Sequence, residues 1–122
     1  MPFKSILIVD DTDCCRTLLE RCLLKEFPGI KIFQASGGEE GVAVFLEKFP
    51  DMTITDLNMP GMHGHEVVKR IKGIRKDAVV VIMTGNDGEP IEDITHADAF
   101  FRKGASDEDI IATLFSAVAR KF

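Results

Sequence analysis

The 122-residue sequence contains no tryptophan, no tyrosine and only three cysteines. An odd number of cysteines, all within one predicted helix, excludes the disulfide framework of a small secreted domain. We expect Cys15 and Cys22 to face the core as small apolar side chains, on the same side of the helix as Leu18 and Leu19. Cys14 is expected to be more exposed.

Positive charge is also scarce, because 15 Lys and Arg stand against 20 Asp and Glu and leave a formal net charge of -5. Binding to phosphates by bulk electrostatics needs surplus positive charge, so we expect no nucleic-acid partner. The one basic run, between Lys69 and Lys76, is interpreted as a solvated helix face. No apolar run is long enough to span a bilayer, and the first ten residues do not have the pattern of a signal peptide. The sequence therefore predicts a cytoplasmic protein without a membrane partner.

Hydrophobic residues make up 45% of the chain, which suits one compact domain over residues 1–122. Short β-branched runs alternate with amphipathic stretches. The predicted strands are residues 5–10, 31–35, 52–56, 78–84 and 99–103, and the predicted helices are 13–27, 38–49, 63–74 and 107–121. This alternation predicts a parallel sheet between two layers of helices, a three-layer α/β sandwich with right-handed crossovers.

One interval breaks the alternation. Residues 85–98 include Gly85, Gly88 and Pro90 and contain few apolar residues. Glycine and proline disfavour helix, so only a short helix at 91–96 is expected there, and the interval is predicted to be the most mobile part of the domain.

Residues whose side chains could form a functional site lie at the ends of the predicted strands. Asp10 ends the first and Asp11 follows it, Asp56 ends the third, Thr84 ends the fourth and Lys103 ends the fifth. In a wound parallel sheet the carboxyl ends of the strands share one edge, so these five residues should meet. That edge is the predicted site.

Four segments carry a resemblance to a known family, and they are Ile-Leu-Ile-Val-Asp10-Asp11, Thr55-Asp56-Leu57-Asn58-Met59-Pro60-Gly61-Met62-His63-Gly64, Ile82-Met83-Thr84-Gly85 and Phe100-Phe101-Arg102-Lys103. The chain resembles the receiver domain of bacterial response regulators, the CheY-like phospho-acceptor partners of histidine kinases. By that resemblance the fold is flavodoxin-like, with strand order 2-1-3-4-5 and a fourth helix that is short or irregular in this chain.

The resemblance also implies roles for single residues. Asp56 would accept the phosphoryl group and, with Asp11 and the backbone carbonyl of Asn58, would bind Mg²⁺, while Asp10 would act mainly through water. The chemistry agrees, since clustered carboxylates repel one another and an incoming phosphate, and a divalent cation held by oxygen ligands relieves both repulsions. Further implied roles are phosphoryl binding by Lys103 and Thr84, and a conformational switch formed by Thr84 and Phe100.

The implied partners are a sensor histidine kinase or a histidine phosphotransfer protein and, downstream, another protein or a second copy of the chain. Such a domain is not an enzyme in the usual sense, although it assists its own phosphorylation and dephosphorylation. It would switch a protein-binding surface, which we expect to include residues 85–98, Phe101 and the outer side of the helix at 107–121. The sequence departs from the family at Gly104, where the family usually has proline after the lysine.

Alternatives remain open on the sequence. Asp10 and Asp11 are also compatible with an acidic helix start, and Phe100 with a core aromatic. A pseudo-receiver that binds partners without phosphorylation has the same fold. An aspartyl-phosphate phosphatase of the haloacid dehalogenase type would need Asp-x-Asp after its first strand, and a flavin binder would need a hydroxyl-rich loop there.

Overall fold

A computed structural model describes residues 3–85 and 96–120. Within this part the predicted order of strands and helices is confirmed, and the ends differ from prediction by one or two residues. The predicted short helix at 91–96 and the predicted mobility of residues 85–98 fall largely outside the described residues. The elements are β1 Ser5–Val9, α1 Asp13–Glu26, β2 Lys31–Ala35, α2 Gly38–Lys48, β3 Met52–Asp56, α3 Gly64–Ile74, β4 Val79–Thr84, β5 Ala99–Arg102 and α4 Asp107–Ala119.

The five strands form one parallel sheet in the order β2-β1-β3-β4-β5, as predicted. Its register aligns the carboxyl ends of the strands: Val9 pairs with Thr55, Asp56 with Met83 and Thr84 with Arg102. Each residue that follows these positions therefore emerges at the same edge. This register brings together residues that are distant in sequence.

The sheet separates two apolar layers. Because successive strand residues point to opposite faces, Ile6 and Ile8 enter one layer and Leu7 and Val9 the other. Helices α1 and α4 cover the first layer, and α2 and α3 cover the second. Every residue of β4 is buried, as expected for a strand with helices on both faces. No helix in the described part of the chain is long and apolar enough to cross a membrane.

The inward face of α1 was predicted only in part. Cys22 and Leu19 are buried, but Cys15 is half-buried and Leu18 is 63% exposed. Consecutive helix residues differ by about 100° in direction, so Leu18 and Leu19 cannot share one face. The face that packs on the sheet and on α4 runs through Leu19, Cys22 and Leu23.

The opposite edge of the sheet holds an ion pair that the sequence analysis missed. Lys72 Nζ lies 2.9 Å from Asp98 Oδ2, and the two side chains are 20% and 7% exposed. The same oxygen accepts a hydrogen bond of 2.8 Å from the Val80 amide. Arg120, after α4, donates to the Asp98 carbonyl at 2.8 Å. The prediction that the basic run is a solvated face is therefore wrong for Lys72.

This ion pair joins α3, β4 and the start of β5, which gives a stability prediction. Replacing Asp98 with Ala leaves the Lys72 charge and the Val80 amide without this acceptor. We expect the free energy of unfolding to fall by roughly 3 kcal/mol. The matched control is Glu66→Ala, which removes an exposed pair with Arg70 at 3.3 Å and should cost about 0.5 kcal/mol or less. Urea unfolding of both variants measures the difference, and equal losses would contradict this account.

Candidate functional site

The site lies at the carboxyl edge of the sheet, where three strands bring acidic and basic residues together. Asp10 follows β1 and is completely buried, and Asp56 ends β3 with 4% of its surface exposed. Asp11 is exposed at the rim. Lys103 follows β5, and Thr84, at the end of β4, is 3% exposed. The fold thus places all five at the edge where the sequence analysis expected them.

Lys103 links the two buried carboxylates. Its Nζ lies 3.0 Å from Asp10 Oδ2 and 3.2 Å from Asp56 Oδ2. Oδ2 of Asp10 is buried and has no hydrogen-bond partner in the described part of the chain. Its contact with Lys103 is therefore an ion pair without hydrogen-bond geometry. The other oxygen of Asp10 accepts a hydrogen bond of 3.0 Å from the Thr12 amide. The ammonium group therefore bridges two carboxylates that would otherwise face each other directly.

Burial and repulsion both act on Asp56. Loss of hydration raises the pKa of Asp56, and the Asp10 carboxylate raises it further. The Lys103 ammonium and a hydrogen bond from the Asn58 backbone oppose this shift without cancelling it. For Lys103, burial lowers the pKa, but the Asp10 and Asp56 carboxylates outweigh burial and raise it. The fold thus stabilises the charged form of Asp56 less well than water does.

A divalent cation fits this cluster. One carboxylate oxygen from each of Asp10, Asp11 and Asp56 lies within 4.8 Å of the other two. With the Lys103 ammonium, three negative charges and one positive charge leave a formal charge of -2, which a divalent cation would balance. Carboxylate oxygens are the ligands that Mg²⁺ prefers, and few protein ligands are typical of its sites. These residues could therefore hold Mg²⁺.

The loop after β3 approaches the site closely because Gly64 begins α3. The Gly64 amide donates to the Leu57 carbonyl at 2.8 Å. A Cβ on Gly64 would lie 2.5 Å from the Asp56 carbonyl oxygen and 2.7 Å from the Leu57 Cα, both of which are backbone atoms. Only glycine lets the start of α3 come so near the strand end that carries Asp56.

The loop that carries Lys103 has a conformation that proline cannot adopt. Gly104 has a φ of 91°, whereas the ring of proline fixes φ near -65°. The Lys103 amide donates to the Thr84 carbonyl at 2.8 Å, which extends the β4–β5 pairing to the lysine itself. At position 104 glycine therefore permits a backbone conformation that proline would exclude.

The two aromatic residues of β5 face opposite layers. Phe100, the predicted switch residue, is 37% exposed, and Phe101 is buried in the layer beneath α1 and α4. An expectation that Phe101 contributes to a partner surface is wrong, because residues next to each other on a strand point to opposite faces. Phe100 pairs with Ile82, two residues before Thr84.

Arg16 is a site neighbour that the sequence analysis overlooked. Its guanidinium donates to the backbone carbonyl of Asp10 and forms an ion pair with Asp13, one helical turn earlier. The spacing of three residues between Asp13 and Arg16 was a readable signal for that pair. Nothing in the sequence pattern indicated the Asp10 contact, because it depends on how α1 leaves the sheet.

Known proteins share both the sequence pattern and the fold. The response regulator receiver domain matches residues 6–115. The chain belongs to this family. Sporulation initiation phosphotransferase F of Bacillus subtilis is 40% identical over 81 residues, covering 66% of this chain and 64% of that protein. The nitrate/nitrite response regulator protein NarL of Escherichia coli is 31% identical over 121 residues, covering 94% of this chain and 55% of that protein.

A solved structure supports the fold assignment. The chemotaxis protein CheY4 of Vibrio cholerae superposes with a TM-score of 0.83 at 24% identity, covering 94% of this receiver chain and 98% of that one. At this identity the likeness concerns the fold. The chain spans about half to two thirds of the length of the two curated relatives.

The close approach at Gly64 predicts a strong effect of a single methyl group. We expect Gly64→Ala to lower the free energy of unfolding by roughly 2–3 kcal/mol, since backbone atoms of β3 must move to admit the Cβ. Gly73→Ala is the control, because a Cβ there meets no atom within 4 Å and the same helix should gain about 0.5–1 kcal/mol. Denaturant unfolding of both variants gives the comparison. Gly64→Ala as stable as the parent would contradict the close approach.

The raised pKa of Asp56 predicts a pH-dependent gain from removing its charge. The folded protein holds the Asp56 proton more tightly than the unfolded chain, so this group's stabilising contribution is present below the ordinary Asp pKa and is lost as pH rises through the raised pKa. Asp56→Asn should therefore be more stable than the parent at neutral pH, and the difference should shrink at acidic pH.

The measurement is urea unfolding at a series of pH values from acidic to neutral, in buffer free of divalent cations. Asp77→Asn serves as the control, because Asp77 is exposed in its pair with Arg75. An Asp56→Asn variant that is less stable than the parent at neutral pH would show that the Asp56 charge stabilises the fold.

Proposed function

We propose that this receiver domain accepts a phosphoryl group on Asp56 in a reaction that depends on Mg²⁺ and thereby switches a protein-binding surface. The observation that carries the proposal is the buried Asp56 carboxylate with Lys103 Nζ at 3.2 Å and two further Asp carboxylates beside it. A buried acid among like charges is costly for a fold to maintain. Phosphoryl transfer gives this arrangement a use.

In the proposed metal site, Asp11, Asp56 and the backbone carbonyl of Asn58 bind Mg²⁺ directly, and Asp10 acts mainly through water. Asp11 is exposed at the rim, whereas Asp10 is buried and both of its oxygens contact other groups. When bound, the ion would neutralise the carboxylates and supply positive charge for the transfer of a phosphoryl group to Asp56.

In the proposed transfer, a carboxylate oxygen of Asp56 attacks the phosphorus of a phosphohistidine. The new P–O bond forms as the P–N bond breaks, and the electron pair of that bond passes to the imidazole nitrogen. Lys103 would bind one phosphoryl oxygen as a point charge, and the Thr84 hydroxyl would donate to another. Positioning and charge neutralisation are the main requirements of phosphoryl transfer.

The proposed switch runs from the phosphoryl group to Thr84 and then to Phe100, which is partly exposed on β5. Movement of Thr84 towards the phosphoryl group would change the space available to Phe100 and bias a two-state surface. We propose a sensor histidine kinase or a histidine phosphotransfer protein as donor, and a separate protein or a second copy as the receiver of the signal. Relatives named as a phosphotransferase and a sensor kinase/phosphatase support a donor of this kind.

We further propose that residues 1–122 act as one cytoplasmic domain.

A pseudo-receiver that binds partners without phosphorylation is the second candidate. The observation in its favour is Gly104, whose φ of 91° gives the Lys103 loop a conformation that proline cannot share. The following experiment separates the two candidates.

Incubation with acetyl phosphate and Mg²⁺ should add one phosphoryl group to the protein, measured by intact mass. Asp56→Asn should abolish the addition, because an amide is not a nucleophile for phosphorus at neutral pH. Asp51→Asn is the control, since Asp51 binds the Lys4 and Ser5 amides away from the site. Equal labelling of Asp56→Asn would exclude Asp56 as the acceptor, and an unlabelled parent protein would favour the pseudo-receiver.

The metal site predicts different roles for the paired aspartates. Asp11→Asn should weaken Mg²⁺ binding more than Asp10→Asn, because so few protein oxygens hold the ion that loss of a direct ligand is severe. The protein has no tryptophan, so calorimetry or NMR titration is the suitable measurement. Equal affinities in the parent and both variants would contradict the metal site.

A further inference from the structure

The guanidinium of Arg16 binds three different parts of the protein next to the proposed metal site. Its Nη1 donates to the backbone carbonyl of Asp10 and its Nη2 to the carboxylate of Asp13. Its Nε donates to Gln34 Oε1 at 3.0 Å. These contacts join the end of β1, the first turn of α1 and strand β2. Only 12% of the Arg16 side chain is exposed.

The Asp10 carbonyl matters because it sits at the turn between the two proposed site carboxylates. The Asp10 amide is fixed by the Ala35 carbonyl at 3.1 Å, and its side chain is fixed by the Thr12 amide at 3.0 Å. Arg16 holds the remaining backbone group of Asp10, the one that leads directly to Asp11. A buried carbonyl requires a partner, and here the partner is a cation.

The guanidinium fork is what makes these contacts simultaneous. Arginine presents several N–H donors in one rigid plane, whereas lysine carries one compact ammonium on a flexible stem. An ammonium group could replace the charge of Arg16. It could not reach the Asp10 carbonyl, Asp13 and Gln34 together in this planar arrangement.

We propose that Arg16 is a positioning residue that holds the Asp10–Asp11 turn in the arrangement that binds Mg²⁺, before the ion arrives. The proposal rests on the proposed function and deepens it. Repulsion among Asp10, Asp11 and Asp56 would otherwise spread the carboxylates apart in the metal-free protein. Arg16 opposes that movement through the backbone, without occupying any carboxylate oxygen of Asp10 or Asp11.

The test compares Arg16→Gln and Arg16→Lys with the parent in two NMR measurements. The first is hydrogen exchange of the Thr12 amide without divalent cations, because that amide reports the turn directly through its bond to Asp10. The second is titration with Mg²⁺. Both variants should exchange faster at Thr12 and bind Mg²⁺ about ten-fold more weakly, the usual scale for removing a residue that orients a ligand.

Arg21→Gln is the matched control, because it removes the same charge from an exposed position on the same helix. It should leave both readouts unchanged. Parental affinity in Arg16→Lys would show that charge alone matters and would overturn the proposal, as would equal weakening by Arg21→Gln. If the parent protein fails to bind Mg²⁺, the metal site itself is wrong. In that case unchanged Thr12 exchange in both Arg16 variants would separately refute the role in holding the turn.

Discussion

The candidate site depends on keeping like charges together at one edge of the sheet. Parallel pairing of β1 with β3 forces Asp10 and Asp56 to emerge side by side, and both are buried. Lys103, delivered by β5, lies between them within 3.2 Å of each. One ammonium against three carboxylates leaves the cluster negative. Burial, and after it the Asp10 carboxylate, raise the pKa of Asp56.

Buried charges are arranged differently at the two edges of the sheet. At the amino edge, Lys72 and Asp98 form an ion pair, and the Val80 amide donates to the same carboxylate. At the carboxyl edge the charges are unequal, and among the described residues a buried oxygen of Asp10 has an ion-pair contact but no hydrogen bond. A balanced pair stabilises the packing of helix on sheet. An unbalanced cluster suits a cation and a phosphoryl group that arrive from outside.

Predictions from sequence patterns failed where the direction of a side chain, and not its spacing along the chain, decided its contacts. Lys72 belongs to a basic run that reads as a solvated face, yet its stem crosses the end of the sheet to Asp98, 26 residues away. Phe101 reads as surface beside Phe100, yet the alternation of the strand turns it into the core. Arg16 was not predicted at all, because its contact with Asp10 depends on the path of the chain between β1 and α1. Each error concerns which way a side chain points.

By itself, the sequence determined the alternation of strands and helices and the placing of Asp10, Asp56, Thr84 and Lys103 at strand ends, because hydrophobic period and motif spacing are local properties. The order of the strands in the sheet was implied by the family resemblance. Only the tertiary structure decided the distances of Lys103 to the two carboxylates, the exposure of Asp11 and the close approach at Gly64. Those quantities arise from strand register and from how helices pack on the sheet. Both are set by contacts between segments that lie tens of residues apart.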